Sequence, residues 1–348
     1  MAGKAIFRFS FGPWNIHEGA DVFGPTVRRT VEFRKKIEVY KKLGFEGIQF
    51  HDDDVVPSVD VPASQIEKEA IAMKKLIDDA GLIPEFVAPR LWEHPNTIDG
   101  GFTANDPKIR AYAIERAKKS IDIANIIGTH NIVLWPAREG VYVNESKDHI
   151  QSTNWFLEAV DTMLGYDARI RILGEMKPNE PMDHAYLPTT GHFLALSYLT
   201  KDPGRVGVLI ESAHAILAGL DPAIEMGYAL AHKKLWSVHL NDQNGLKFDE
   251  DRIFGAINLK RAFDQVLVLY DNDFGADGEF VGLDIKALRT QKDDRATNHL
   301  RLSKKIFLSL LEVVKSLDRH KIDEYRKERD YEELEGFIIE SIMGMSRR

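Results

Sequence analysis

The feature that most restricts this chain is a recurrence of short apolar segments, about eight of them at intervals of roughly 40 residues, with helix-compatible stretches between. The unit is plainest near the start. Residues 26–43 place Val27, Val31, Ile37, Tyr40 and Leu43 at near-helical spacing among Arg, Lys and Glu, and the pattern stops at Gly44, a residue suited to a left-handed helix terminus. Gly47-Ile48-Gln49-Phe50-His51 then reads as a strand running into Asp52-Asp53-Asp54. A helix over 63–80, Gly81 and a strand over 83–88 repeat the unit. Asp106-Pro107 supplies an N-cap and a first-turn proline for a helix reaching toward Gly128, ahead of a strand at 131–135. Apolar runs at 170–173, 206–210, 235–238 and 280–283, with the opening 6–11, complete the set. Strand–helix alternation of this kind builds a parallel sheet, and eight units close it into an α/β fold of the (β/α)8 barrel type, expected over 1–295. Residues 296–348 read as a short C-terminal helical extension. Leu302, Ile306, Leu310, Val313, Val314 and Leu317 predict one amphipathic helix, and 318–335 reads as a solvated charged linker. The apolar end, Phe337-Ile338-Ile339 with Ile342-Met343, predicts a contact with another subunit.

Several function classes drop out on composition. With 46 basic against 54 acidic side chains, a formal charge of −8, the chain lacks the basic surface that phosphate backbones and anionic lipids require, so neither nucleic acid nor membrane is expected as a partner. The chain contains no cysteine, which excludes disulfides, Cys-ligated metals and thiol nucleophiles; any metal must be held by His, Asp and Glu. The first 14 residues alternate like a strand rather than forming a signal peptide, and no apolar run approaches about 18 residues, so a soluble cytoplasmic protein is the expectation.

The polar residues that follow the apolar runs carry the functional signal. His51 and Asp54, Trp135, Glu175 and Lys177, Glu211 and His214, His239 and Asp284 all fall where strands end, and in a barrel those ends form one rim around one cavity. Any one of these acids is equally well explained as a helix N-cap or a solvated loop charge; their recurrence after strand upon strand is not. Glu211 and His214 lie one helical turn apart and can face one cation, and Asp249 and Asp251, at i and i+2, can chelate one, although an exposed acidic loop explains that pair as well. Glu175, His239 and Asp284 flank Glu211 on neighbouring strands, so one carboxylate can bridge two metals. Two divalent cations would polarise adjacent oxygens of a polyol. His51 with Asp54 forms a separate imidazole–carboxylate pair suited to acid–base work, and Lys177 can place an ammonium near a substrate oxygen. Trp14, Trp92 and Trp135 stand beside these clusters as flat walls for the C–H face of a sugar.

At this level of detail the chain resembles the xylose isomerase family, particularly its shorter class. The resemblance rests on Phe50-His51-Asp52-Asp53-Asp54, the stretch from Asp99-Gly100-Gly101-Phe102 to Asp106, Trp135 with Arg138-Glu139-Gly140, Lys177-Pro178-Asn179-Glu180-Pro181, Glu211 with His214 and Ala218-Gly219-Leu220, and Lys247-Phe248-Asp249-Glu250-Asp251, in family order. It implies a TIM-barrel aldose–ketose isomerase with two divalent metal ions per subunit (Mn, Co or Mg), acting on a small sugar, with D-xylose to D-xylulose as the leading pair. His51 and Asp54 would assist ring opening, and Lys177 would hydrogen-bond the substrate's O1. Glu175, Glu211, His239 and Asp284 would hold one metal, and Glu211, His214, Asp249 and Asp251 the other. Trp14, Trp92 and Trp135 would wall the pocket, and Phe23 would reach into a neighbouring subunit's site in a homotetramer or homodimer. Three departures accompany the resemblance. His239 stands where the family usually has an aspartate ligand, which favours Mn²⁺ or Co²⁺ over Mg²⁺. Ala88-Pro89-Arg90 and Leu209-Ile210 depart from the family's residues near the sugar and bear on specificity. The tail is shorter than the family's subunit-wrapping arm. Three other readings stand beside this one: an isomerase for another aldose or a deoxysugar, a sugar epimerase or proton-transfer isomerase with Glu175 and Glu211 as bases, and a sugar-binding protein that has lost turnover.

Overall fold

The computed structural model describes residues 7–246 and 248–345. Eight parallel strands, β1 (Arg8–Phe11), β2 (Gly47–His51), β3 (Ile83–Ala88), β4 (Asn131–Leu134), β5 (Arg171–Glu175), β6 (Val206–Glu211), β7 (Leu235–Leu240) and β8 (Phe280–Leu283), close into a barrel. β1 seals the ring by pairing with both β2 and β8; Phe9 lies opposite Val281 and Phe11 opposite Leu283. Strands of this kind are covered on both faces, by barrel-filling side chains inside and helices outside, so they read as nearly continuous apolar runs. β6 is buried at every position. This is the expected (β/α)8 architecture, and the expected strand positions agree within two residues at each end among the described residues; Ile6, expected to open the first strand, lies outside them.

The helices follow the same logic. They are α1 (Phe33–Leu43), α2 (Asp52–Val55), α3 (Ala63–Ala80), α4 (Pro107–Ile127), α5 (His149–Tyr166), α6 (Thr190–Ser197), α7 (Ser212–Leu217), α8 (Pro222–Ala231), α9 (Leu259–Asp271) and α10 (Asn298–Ser316), followed by α11 (Arg319–Glu328) and α12 (Tyr331–Ile342). Gly44 and Gly81 end α1 and α3 at positive φ, 66° and 70°, where a side chain would be strained. Asp106 caps α4 by accepting the Lys108 amide, ahead of Pro107.

Two expectations are corrected. Residues 26–32 are not helical. Arg28 is drawn out of the helix by its guanidinium, which donates to the carbonyls of Leu288 and Gln291 at 3.0 and 3.1 Å and to His17 O at 3.2 Å, while the backbone amides of Val27 and Arg28 donate to Glu18 O. These bonds strap the segment across the β1–β8 seam, and α1 starts only at Phe33. The charged stretch 318–335 is not a linker. Asp318 and Asp330 cap α11 and α12 by accepting the amides of Lys321 and Glu333. Of the apolar end, Ile338 is buried and Phe337 and Ile342, with Leu334, lean on the hydrophobic core beside α9 and α10, while Ile339 and Met343 stay exposed. The charges line the solvent side of two short helices.

Two further links shape the carboxyl-end loops. Gly140–Val141 and His184–Ala185 form a small antiparallel pair joining the loops after β4 and β5. Asp242 and Arg252 form a backbone bridge that pinches the loop after β7 at its base. Among the described residues no helix is long and apolar enough to cross a membrane.

Candidate active site

The carboxyl ends of the strands surround a cavity of about 610 Å³. Every residue given a catalytic, metal or wall role above except Phe23 and Asp54 lines it: Trp14 after β1, His51 at the end of β2, Trp92 after β3, Trp135 after β4, Glu175 and Lys177 at and beyond the end of β5, Glu211 and His214 across the β6–α7 junction, His239 in β7, Asp249 and Asp251 in the pinched loop, and Asp284 after β8. Residues more than 200 positions apart thus face one space because β1 and β8 meet.

Two groups of potential ligand atoms converge there. Glu175, Glu211, His239 and Asp284 present oxygen or nitrogen atoms within 4.8 Å of one another, and so do Glu211, His214 and Asp249. Glu211 belongs to both groups. His239 Nδ1 lies 3.0 Å from Glu175 Oε1 and 3.8 Å from Glu211 Oε2, and His214 Nε2 lies 3.1 Å from Asp249 Oδ2 and 3.4 Å from Glu211 Oε1. Trp14 donates its indole N–H to Asp284 Oδ1 at 3.0 Å, so one aromatic wall also orients a carboxylate. Asp251 stands slightly apart. It lines the cavity, but its carboxylate is ion-paired with Lys286 and accepts from Asn241 Nδ2 at 3.2 Å, and it lies outside both converging groups.

The carboxylates of the cluster divide: against burial, His214 and Lys177 hold Asp249 well below the usual range and His239 lowers Glu175, while Glu211 and Asp251 are raised. Burial pushes the Glu211 carboxyl up to about 8, with the charges of Asp249 and Asp284 adding to the effect against His214. Burial, followed by the Asp249 charge, holds Asp251 well above the usual carboxylate range. Asp249 Oδ1, in the same group as Glu211, is buried without a hydrogen-bond partner. Buried acceptors that are crowded by like charge and left unpaired are costly unless a cation coordinates them. The donor set, carboxylate oxygens with one imidazole in each group, matches divalent Mn, Co or Mg. The residues present therefore fit divalent-metal binding, and Glu211 belongs to both groups that could hold an ion.

Lys177 and His51 face the same cavity from either side. Lys177 Nζ lies 2.9 Å from Glu180 Oε2 and 3.0 Å from Asp249 Oδ2, over the Trp135 ring at 5.4 Å. Burial works against its charge, but Asp249 and Glu180 outweigh burial and hold its pKa above the ordinary lysine value. The shift favours the ammonium form, which donates hydrogen bonds. His51 Nδ1 lies 3.0 Å from Asp54 Oδ2, the expected pair, with the Asp54 carboxylate also accepting the His51 amide at 2.9 Å. Burial opposes the Asp54 charge, yet His51 and Arg90 hold its carboxyl below the usual range. Arg90 enters this pair, its Nη2 at 2.6 Å from His51 Nδ1 and its Nε at 2.9 Å from Asp53 Oδ1. His51 Nδ1 can donate to Asp54 or accept from Arg90, but not both at once. Phe23 does not line this chain's cavity. It is 84% exposed beyond the mouth, edge-to-face with Phe248.

Comparison with known proteins is consistent with this geometry. The family model described as "Xylose isomerase-like TIM barrel" matches residues 37–271, from within α1 to the end of α9. The chain belongs to the xylose isomerase-like TIM barrel family. Curated relatives include the xylose isomerase of Thermus thermophilus, 33% identical over 316 residues that span 89% of this chain and 80% of that protein, and the xylose isomerase of Thermus caldophilus, also 33% identical, with the same coverage. Among solved structures, a D-tagatose 3-epimerase-like protein superposes with a TM-score of 0.62 at 16% identity, covering 88% of this chain and 98% of that one. The Escherichia coli 3-keto-D-glucoside 4-epimerase gives 0.63 at 12% identity, covering 86% and 100%. Both share the barrel.

Sequence reasoning missed several residues that shape this family member's site. Arg90 stood out as a departure bearing on specificity, not as a partner of His51. Lys286 sits two residues past Asp284, the spacing that singled out Lys177 past Glu175, and that repeat was the available signal. Asn241 donates to Glu211 Oε1 at 2.7 Å and to the Asp284 carbonyl at 2.9 Å, while its own Oδ1 accepts the Ala213 amide at 2.7 Å, tying the ends of β6, β7 and β8 together. Nothing in the local pattern marks such a tie.

Proposed function

We propose that this protein is a two-metal aldose–ketose isomerase, with D-xylose to D-xylulose as the leading reaction. The observation that carries the reading is Glu211, shared by two convergent ligand groups, with Lys177 beside one of them and an aromatic-walled cavity opposite. Glu175, Glu211, His239 and Asp284 hold one cation; Glu211, His214 and Asp249, joined by Asp251, hold the other. When bound, such ions polarise adjacent sugar oxygens and stabilise developing negative charge there.

The chain's own residues do the remaining work. His51, turned by Asp54 or by Arg90, moves a proton at the ring oxygen or anomeric hydroxyl as the cyclic sugar opens. Lys177 spends two N–H donors on Glu180 and Asp249, leaving the third for the substrate's O1. Trp14, Trp92 and Trp135 stack on the sugar's C–H face and exclude water, which favours transfer of hydrogen between C2 and C1 as hydride over exchange with solvent. Phe23, projecting from the mouth, completes a neighbouring subunit's wall in a homodimer or homotetramer. The His239 nitrogen supports a preference for Mn²⁺ or Co²⁺ over Mg²⁺.

The test is a panel of aldoses with chelated protein and with Mg²⁺, Mn²⁺ or Co²⁺ restored, scored for ketose and run in deuterated water. Metal-dependent ketose without deuterium at C1 is expected. Deuterium at C1 points instead to proton transfer by Glu175 and Glu211, and sugar binding without turnover to a non-catalytic protein.

A further inference from the structure

A polar network lies inside the barrel beneath His239, where a layer of aliphatic side chains would ordinarily sit. Glu85 of β3, Gln49 of β2, Ser10 of β1 and Ser237 of β7 are all buried there. Glu85 accepts at both oxygens: Oε2 from Ser10 Oγ and, at 3.0 Å, from Gln49 Nε2, and Oε1 from Ser237 Oγ at 2.6 Å. Ser10 Oγ, whose hydroxyl hydrogen is donated to Glu85, accepts from Gln49 Nε2 at 3.1 Å. Both hydrogens of the Gln49 amide therefore face Glu85 and Ser10, which turns Gln49 Oε1 toward His239 Nε2 at 3.2 Å. A carbonyl oxygen can only accept, so Nε2 must carry a hydrogen.

The space for this chain of bonds is built into β8. A Cβ on Gly282 would come within 2.5 Å of Gln49 Nε2 and 3.0 Å of His239 Cδ2, so any side chain there would displace the amide or the ring. From these contacts we propose that Glu85, acting through Gln49, fixes His239 as the Nε2–H tautomer and so makes Nδ1 the atom that this site offers to a cation. Glu85 and Gln49 are positioning residues, since neither belongs to the groups of ligand atoms and Gln49 acts through His239. The direction of the ring agrees, with Nδ1 turned toward Glu175 and Glu211. Partners of this outer kind commonly change metal affinity by about 10- to 100-fold.

The inference rests on the two-metal reading and is tested apart from it. Long-range ¹H–¹⁵N spectra of the Zn²⁺-loaded protein, labelled at histidine, are expected to show His239 metallated at Nδ1 and protonated at Nε2; metallation at Nε2 overturns the proposal. Mn²⁺ titrations of Gln49→Leu and of the isosteric Glu85→Gln, which lets the Gln49 amide turn over, are expected to show about 10- to 100-fold weaker binding at one of two sites, with the other unchanged. Circular dichroism identifies any variant that has not folded, and the wild-type spectrum decides the matter without it. Wild-type affinity at both sites in both folded variants overturns the relay and leaves the metal reading intact. If the wild type binds no Mn²⁺ or Zn²⁺, the metal reading fails and takes this inference with it.

Discussion

Replacing Lys177 with methionine removes the ammonium while keeping most of the side chain's length and apolar stem. In the structure two of the three N–H donors are engaged, by Glu180 at 2.9 Å and Asp249 at 3.0 Å, so one remains for substrate. A single preorganised donor aimed at developing negative charge is worth about 10² to 10³ in kcat, or about 3–4 kcal/mol. KM should change much less, because an interaction that strengthens as charge develops acts chiefly on the rate. The substitution also removes a gross attraction to Asp249 on the order of 5 kcal/mol at an effective dielectric of about 20, before desolvation is set against it. Asp249 then has His214 as its nearest positive partner, so the neighbouring cation group should bind metal at least as tightly as before. The assay is ketose formation at saturating Mn²⁺, with metal content and affinity measured on the same preparation by calorimetry. Turnover within threefold of wild type, with both ions bound, would refute the role assigned to Lys177. Loss of a metal would show instead that its main task is structural.

Two further outcomes concern stability. Burial, and to a smaller extent the nearby charges of His17 and Arg28, lower the His299 imidazole from 6.5 to about 4, with Nε2 donating to the Asn15 carbonyl at 2.9 Å. The unfolded chain therefore binds a proton that the folded one refuses between those values, and stability, level above about pH 6.5, should fall by up to about 3 kcal/mol as pH drops toward 4. His299→Gln, which keeps an N–H donor, should flatten the urea midpoint between pH 7 and 4.5, and an unchanged slope would contradict this. Arg116 holds the fully buried Asp52 carboxylate through Nε and Nη2, both at 2.8 Å. Arg116→Met should cost about 3–5 kcal/mol by leaving that charge unpaired, and a wild-type urea midpoint would count against it.

The parts of the molecule legible in the sequence were those encoded by short-range pattern. Gly44 and Gly81 mark where α1 and α3 end, Asp106-Pro107 marks where α4 begins, and the apolar runs between mark the strands. The acids and imidazoles at the strand ends were legible because barrel closure sends every strand end to the same mouth, so position along the chain stands in for position in space. Interior contacts lack that proxy. Gln49 and His239 are 190 residues apart, and Glu85 and Ser237 are 152 apart; which inward-pointing residue meets which depends on the stagger of the closed sheet. Arg90 was hidden for another reason: its guanidinium reaches back past its own loop to residues after β2. The tail misled because a dense run of charge reads as solvent-exposed, and an amphipathic helix can carry that charge on one side while covering a core with the other.

The strap made by Arg28 has a consequence for how the molecule is completed during synthesis. Its guanidinium waits for carbonyls about 260 positions downstream, and Trp14 waits for Asp284 over 270. A nascent chain that has emerged only through β7 has two unpaired sheet edges, at β1 and β7, with its first loop untethered and its rim lacking one carboxylate. Docking of β8 supplies all the missing pieces together. The rim is therefore completed only with the last strand of the barrel.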